Sequence, residues 1–591
     1  MTLRLGRRLR RLALVLALLS SRPETAVRAA DETGLLPLET PVSSAGSPAS
    51  GPSSPEPTTI SPEGALPEPF VANTGPAAAS SGLTPQEVER IVADYLAKRE
   101  RERALAADFA SQSKSADVAA PPQPTTIGSD TKMSGSWKDG GQLETADKAF
   151  KMKWRGRTQF DTIGFLNGSE AAFRGLGGNQ GDATVDFRRL RLGAEGVFYE
   201  QFDFAVELDL ANSFNTNGST NAFAPNNNLK NAFDRQFFGV PAPTDVWVGM
   251  HEIPLVGNIR VGSVKPPNGL EHSNSSRFLD FMERSLNQDA FVGRFNNGFQ
   301  PGLLQWNWNE AQTATHAFSC TANSYNVFSY EAGGVDVCNR FTWTPYYDEE
   351  SEGRYLLHLG CSLTQRTPVD GQQRIRARGS LRNGVAQSWS NVADTTIFFT
   401  DYEVLLVPEV AAVLGPLHLQ AEYFGQWNRD VKVQQPGGAP NPGPDLGTAY
   451  FQGWYVQATY FLTGEHREYE RKTGSFGRVK PFENFHFIRG TGGPIWTRGA
   501  WQVGYRYCLL DLRDPTLNLV NAVGGGLPNV GGGTVHDHTF GLNHFLNPNM
   551  KLQYNFVISD RSPSAATPAT PGQTQTGGVS YGLGVRLAHD F

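Results

Sequence analysis

The chain has 591 residues, a net charge of −6 and 39% hydrophobic residues. This weak acidity argues against a nucleic-acid-binding protein, which needs a basic surface, and four cysteines are too few for a disulfide framework. The mean hydropathy of −0.37 and the 63 glycines argue against helical membrane spans and are typical of a chain rich in strands and turns.

Residues 1–30 are predicted to be an export signal. Arginines between Arg4 and Arg11 precede the apolar run Leu12–Leu19, and small residues around Ala29 and Ala30 offer a cleavage site. That run is too short to cross a bilayer as a helix. The later sequence contains no run of 18 apolar residues. A membrane-embedded mature chain must therefore be a β-barrel, which also satisfies its backbone hydrogen bonds in lipid.

Three further segments precede the main body. Residues 31–83 are rich in Pro and Ser and are predicted to be a disordered tether. Residues 84–110 begin with the capping box Thr84–Glu87 and are predicted to form a helix. Its heptad pattern is apolar at both ends and charged in the middle, so a short coiled coil and a solvated single helix remain alternatives. Residues 111–149 are predicted to be a linker.

From residue 150 to residue 591, strand-length segments alternate apolar with polar residues between Gly, Asn and Pro punctuation. The final segment, Tyr581–Phe591, follows this pattern and ends on an aromatic residue. A transmembrane β-barrel alternates lipid-facing and lumen-facing residues in this way. A single soluble sandwich of this length would be implausibly large. We therefore predict an all-β fold, an antiparallel transmembrane barrel.

Several basic residues recur at every second position and are candidates for an anion path. Facing lipid, each would cost about 2 to 4 kcal/mol near the midplane, so we expect them to face the lumen. Nearby acidic residues favour a second interpretation, in which these cations form structural ion pairs in the wall. The candidates are Arg374, Arg376 and Arg378, then Lys153, Arg155 and Arg157, and finally Arg189 and Arg191.

The four cysteines and a small histidine cluster have two interpretations each. Cys320 and Cys338 flank a polar stretch and either form a disulfide that staples a loop or remain free thiols. His536 and His538 flank Asp537 beside a glycine run, and a barrel enzyme would need such an oriented histidine. We interpret both histidines as exposed loop residues. We therefore predict no enzyme, no metal and no cofactor.

Several sequence blocks resemble the phosphate-selective porins O and P of Gram-negative outer membranes. The resemblance covers most of the chain from about residue 186 to residue 591. The most specific blocks are KPPNGLE (residues 265–271) and YFLTGE (residues 460–465), and FRRLRLGAEG (187–196) and GLNHFLNPNMKLQYNFV (541–557) lie in matching order. The loops match no pattern that would transfer constriction residues.

The resemblance implies a trimeric barrel of sixteen strands with an inward-folded loop, placed in the outer membrane. It also implies passive diffusion of anions, of the phosphate or polyphosphate class. The expected partners are such anions, outer-membrane lipid, two further copies in a homotrimer and peptidoglycan, contacted through residues 84–110 in the periplasm; no nucleic acid is expected. The alternative is a non-selective or structural outer-membrane porin whose N-terminal helix contacts the cell wall.

Overall fold

A computed structural model describes the main body of the chain. The described residues are 131–137, 140–166, 183–211, 242–293, 298–323, 334–368, 371–382, 391–395, 398–432, 445–490, 493–516, 532–562 and 577–591, with single positions at 93, 97, 100 and 128. The predicted export signal and tether lie outside them. Of the predicted helix, only Ala93, Ala97 and Glu100 are described, and they are helical. The chain divides into two units, residues 1–118 and 119–591.

The second unit is a closed barrel of sixteen antiparallel strands, as predicted. The last strand pairs with the first from Gly582 opposite Phe165 to Asp590 opposite Arg157, so the sheet has no open edge at this seam. No described helix is long and apolar enough to cross a bilayer. The strands are β1 (Phe150–Phe165), β2 (Ala183–Phe198), β3 (Phe202–Asp209), β4 (Ala242–Ile253), β5 (Gly257–Val264), β6 (Gln300–Trp308), β7 (Ala314–Asn323), β8 (Gly334–Tyr347), β9 (Tyr355–Arg366), β10 (Tyr402–Leu414), β11 (Leu417–Arg429), β12 (Ala449–Phe461), β13 (Ala500–Asp511), β14 (Thr534–Asn547), β15 (Met550–Ser562) and β16 (Gly578–Asp590).

The strands alternate between the two faces of the wall as the sequence pattern predicts. On β16, Tyr581, Leu583 and Leu587 are exposed on the outer face, whereas Arg586 and Ala588 are buried on the inner one. The period of two places every second side chain toward lipid and the others toward the lumen.

Among the described residues, parts of three connections fold back into the barrel. We call these parts the first (residues 265–293 and 298–299), second (367–368, 371–382, 391–395 and 398–401) and third (465–479) inward segments. The third lies at the end that carries Phe591 and the tight turns, here named the short-turn end; the opposite end is the long-loop end. The first contains α1 (Leu270–Ser273) and a π-helical turn (Gln288–Val292), the second pairs Gln372–Gln373 with Phe398–Phe399 and Arg376–Arg378 with Asn391–Asp394, and the third pairs Tyr469–Glu470 with Ser475–Phe476.

An apolar core fills one side of the lumen. Phe291 of the first inward segment and Ile375 and Phe398 of the second pack there against inward side chains of β10 to β14, including Phe424 and Phe451. Burying this apolar surface fastens the inward segments to one side of the wall. The other side, around β15, β16, β1 and β2, is lined by polar and charged side chains.

The structure adds a hairpin to the predicted linker and distinguishes between the two interpretations of Cys320 and Cys338. The predicted linker, residues 111–149, contains a hairpin of Met133–Trp137 and Gly141–Thr145, which adds to β1 through the pair Leu143 and Met152. Cys320 and Cys338 are free thiols. Cys338 lies opposite Ser319 and Cys320 opposite Val337, so the two sulfurs point to opposite faces of the wall and form no disulfide.

The terminal residue takes part in closing the seam. The Phe591 and Gly156 backbones exchange two hydrogen bonds, with N···O distances of 2.9 and 3.1 Å. A Cβ on Gly156 would lie 2.5 Å from Cζ of the Phe591 ring and 3.1 Å from the Arg191 carbonyl oxygen. The ring therefore occupies the space that the missing side chain leaves.

We expect Gly156→Val to destabilise the barrel, because overpacking costs about 1 to 3 kcal/mol. The readout is the urea concentration at which purified protein loses the electrophoretic mobility of the folded barrel. Gly135→Val is the matched control, since its Cβ would meet only Leu143 at 3.5 Å in the peripheral hairpin. Equal behaviour of the two variants would contradict the packing role assigned to Phe591.

Candidate functional site

The cationic side of the lumen is built on β1, β2 and β16. Arg157, Arg189 and Arg191 are buried on the inner face, as the alternation predicts. Lys153 and Arg155 lie on the same face of β1, nearer the short-turn end. These five candidates are therefore brought together on neighbouring strands.

A β-bulge adds an arginine that the sequence analysis missed. Gln159 pairs with Arg189, but the next residue, Phe160, pairs with Phe187, so Arg188 is the extra residue on β2. The bulge lets Arg188 and Arg189 both face inward, with exposures of 6% and 3%. Strict alternation would have sent one of the two to lipid. The adjacent arginines in FRRL are the only local signal of this arrangement.

Glu207 on β3 is the counterion for most of these candidates. Its carboxylate is fully buried and accepts from Arg155, Arg157 and Arg191 at 3.1, 3.3 and 3.3 Å. Arg277 of the first inward segment joins it at 3.4 Å. These cations are therefore neutralised in the wall, which favours the structural interpretation for them.

Glu283 of the first inward segment is a second carboxylate that several arginines share. It pairs with Arg188 at 2.7 Å and Arg189 at 3.5 Å on β2, and with Arg586 at 2.8 Å on β16. Arg382 of the second inward segment lies 3.6 Å away. One buried carboxylate thus ties two inward segments to the cationic side of the barrel.

The segment Arg374 to Arg378 alternates as predicted, but it does not form part of the barrel wall. Ile375 and Ala377 enter the apolar core. Arg374 pairs with Asp394 at 2.6 Å and Arg378 with Asp289 at 2.9 Å, and Arg376 is buried. All three arginines lie in the second inward segment rather than in a barrel strand. The period of two is the same for a strand that crosses lipid and for one inside the lumen, so the pattern could not separate the two.

Polar contacts hold the first and third inward segments on the far wall. Glu422 of β11 accepts from the backbone N–H groups of Leu270 and Glu271 at 2.6 and 2.9 Å, at the start of α1. Asp280 accepts from Gln502 of β13 at 3.0 Å and lies 3.7 Å from Arg467 of the third inward segment. Polar contacts thus fasten both inward segments to this wall.

Two cations of the first inward segment, Lys265 and Arg284, differ from the ion-paired arginines in their partners. Lys265 Nζ and Arg284 Nη2 both donate to the carbonyl oxygen of Asn274, at 3.2 and 2.7 Å. Neither forms an ion pair with a carboxylate within the part of the chain that the structure describes. Burial, with the nearby Arg284 guanidinium, holds the pKa of Lys265 well below its ordinary value. β5 ends at Val264, directly before Lys265 and the two prolines that follow it.

Two cavities adjoin the first inward segment. One lies at the short-turn end on the cationic side, and Arg157, Arg277, Arg478 and Lys551 are among its lining residues, with Asp590. The other is lined by residues of both charges and by amides: Glu271, Asn274, Leu279, Asp280, Phe281, Glu283, Gln420, Gln457, Arg467 and Arg506. Lys551 donates to the Leu279 carbonyl oxygen at 2.7 Å.

The histidine cluster does not lie in a loop. His536 and His538 belong to β14 and face outward, where their Nδ1 atoms hydrogen-bond the hydroxyls of Tyr507 and Tyr505 at 2.7 and 2.8 Å. Asp537 faces the lumen instead, because neighbours on a strand point to opposite sides. Among the described residues, no group of three or more His, Cys, Asp or Glu is placed to hold a metal ion.

The family model of the phosphate-selective porins O and P matches residues 156–583. The chain belongs to this family. Porin O of Pseudomonas aeruginosa is 26% identical to this porin over 448 residues, which are 73% of this chain and 88% of that protein. The chain is therefore an outer-membrane porin that prefers anions.

Solved porin structures are also similar to this porin, at low identity. An anion-selective porin from Comamonas acidovorans has a TM-score of 0.39 and 12% identity, covering 75% of this chain and 100% of that chain. The channel DcaP of Acinetobacter baumannii has a TM-score of 0.39 and 11% identity, covering 76% and 99%. Similarities this distant say nothing about the solute of this porin.

We expect Glu283→Gln to lower the free energy of unfolding by about 3 to 5 kcal/mol, because it leaves several buried arginines without their shared counterion. Urea titration of electrophoretic mobility measures this loss. Glu349→Gln is the control: its side chain is 69% exposed and pairs with Arg471 at the surface, so its loss costs about 0 to 1 kcal/mol. A Glu283→Gln barrel as stable as the control would refute the anchoring role.

Proposed function

We propose that this porin conducts inorganic phosphate and related small oxyanions along the cationic side of its lumen, with Lys265 and Arg284 as the binding station. The observation that carries the proposal is their convergence on one neutral carbonyl oxygen, with no carboxylate ion pair to either side chain among the described residues. Two cations held together in a low-dielectric site attract an anion that neutralises both.

The apolar core supports a route on this side. Side chains such as Phe291, Phe398 and Phe451 are fully buried against one another across β10 to β14. The inward side chains in that core are apolar. The wall of β15, β16, β1 and β2 offers donors such as Arg157, Arg189 and Arg586, interrupted by an apolar cluster that includes Ile163 and Val557. The cavity lined by Arg277, Arg478 and Lys551 lies at the short-turn end of this side.

The chemistry of the two cations suits an oxyanion. Arginine presents a planar fork that engages two phosphate oxygens, and lysine adds a mobile point charge. The arginines around Glu283 contribute a positive background, because this one carboxylate is shared by Arg188, Arg189 and Arg586. Passage requires binding that is weak enough for release, and neighbouring cations allow an anion to step from one to the next.

We expect Lys265→Gln and Arg284→Gln each to weaken block of chloride current by phosphate about tenfold, because hydrogen bonds to charged groups are worth about 1.5 to 3 kcal/mol. The measurement is single-channel conductance in planar bilayers with phosphate titrated into chloride. Lys480→Gln, at a lysine whose side chain is 61% exposed, is the matched control. Unchanged block in both lumen variants would remove the binding station, and a reversal potential that favours potassium would contradict the anion preference.

Sulfate block should weaken as pH rises. A lysine whose pKa is lowered is charged below that pKa and neutral above it, so anion binding is full at low pH and declines as pH rises through the shifted value. Sulfate is the probe because its own charge is constant over this range. Lys265→Arg keeps the charge and should remove the dependence. A pH profile that persists in Lys265→Arg would assign the effect to another group.

The proposal also includes the oligomeric state of the porin and the role of its N-terminal region. Family membership supports a homotrimer. The predicted helix of residues 84–110 is the basis for the further proposal that the N-terminal region lies in the periplasm and joins protomers or contacts peptidoglycan. The test is removal of residues 31–140, followed by native electrophoresis and cell-wall sedimentation. Unchanged trimer stability and unchanged sedimentation would refute the role of residues 84–110 while leaving the pore proposal intact.

A further inference from the structure

An exposed hairpin follows the third inward segment at the short-turn end. Its strands, His486–Gly490 and Gly493–Thr497, pair only with each other among the strands described. Phe487 and Trp496 lie directly opposite each other and are 64% and 66% exposed, and Phe482, just before the hairpin, is 69% exposed. Large apolar side chains grouped in this way on a surface mark an interaction site.

The aromatic face of the hairpin is continuous with the outer wall of the barrel. Trp501 of β13 stacks on His544 of β14 with ring centroids 4.0 Å apart, and both side chains lie on the outer face. Phe485 packs against His544 at 5.3 Å and against Trp496 at 6.0 Å. Phe487 then meets Trp496 at 5.1 Å. One row of rings therefore leads from the lipid-facing wall onto the hairpin.

Further apolar and cationic groups border this row. Leu462, which follows β12 beside Trp501, is 60% exposed. The Arg498 and Lys480 side chains are 76% and 61% exposed, and Arg498 has only a 3.7 Å surface pair with Glu483. Aromatic rings at the level of lipid headgroups, with cations beside the phosphates, are how proteins hold their position at a membrane interface.

We propose that the paired strands His486–Gly490 and Gly493–Thr497 are an interfacial anchor, seated in the phospholipid headgroup region of the leaflet at the short-turn end. Phe487 and Trp496 enter the apolar side of that region, and Arg498 meets the phosphates beside Lys480, which pairs with Glu468 at 2.8 Å. Lipid is the occupant because the row of rings begins on the outer face of the wall at Trp501 and continues through the buried His544 and through Phe485 to the exposed rings of the hairpin. The anchor is independent of which anion the pore conducts.

A photoreactive benzoylphenylalanine at position 487 or 496 tests the proposal in full-length porin in native outer membranes. We expect a phospholipid adduct by mass spectrometry, as at position 540 on the lipid-facing wall of β14. Position 349, in an exposed turn at the same end, is the control that should give no lipid adduct. Crosslinking of positions 487 and 496 to a second copy, or no adduct where position 540 reacts, would overturn the anchor.

A second measurement does not depend on the crosslinker. The porin is placed in nanodiscs of phosphatidylethanolamine and phosphatidylglycerol with brominated acyl chains, which quench nearby tryptophan. The fluorescence of one tryptophan is the difference between the porin and the variant that lacks it, Trp496→Phe or Trp154→Phe. We expect brominated lipid to quench Trp496 as strongly as Trp154, because Trp154 lies on the outer face of β1. Unquenched Trp496 fluorescence would show a hairpin in water and refute the proposal, whatever the conductance of the pore.

Discussion

The structure depends on one constraint: inside a bilayer, every backbone N–H and C=O must be paired within the protein. A closed sheet meets it, and closure rests on the seam where β16 meets β1 and where the Phe591 ring lies over Gly156. Closure then sends every second side chain inward. The polar and charged residues at every second strand position therefore face one enclosed lumen.

Many arginines enclosed in one lumen repel one another, and shared carboxylate counterions reduce this repulsion. Glu207 and Glu283 are each shared by several guanidinium groups, and because Glu283 comes from an inward segment, this pairing also positions the loop. A buried ion pair whose partners are both hydrogen-bonded is costly to break, although its formation stabilises little. The inward segments are therefore held in place by the groups that also give the lumen its positive character.

The lumen is asymmetric as a result. Apolar packing of the first and second inward segments against β10 to β14 occupies one side, and the ion-paired wall of β15, β16, β1 and β2 forms the other. Lys265 and Arg284 lie in the first inward segment and share a neutral oxygen. Among the described residues these two cations have no carboxylate ion pair, and this difference from the ion-paired arginines of the wall is the basis of the proposed binding station.

The sequence by itself determined the barrel, the two faces of its strands and the inward direction of arginines such as Arg157 and Arg191, because each follows from a local period of two. The tertiary structure alone decided which cations have counterions. Arg586 pairs with Asp161, 425 residues away, the bulge at Arg188 depends on the register with β1, and the Arg374 to Arg378 ladder belongs to an inward segment although its alternation matches a wall strand. Pairing energy depends on distance in space, and that distance exists only once the barrel closes and the segments fold into it.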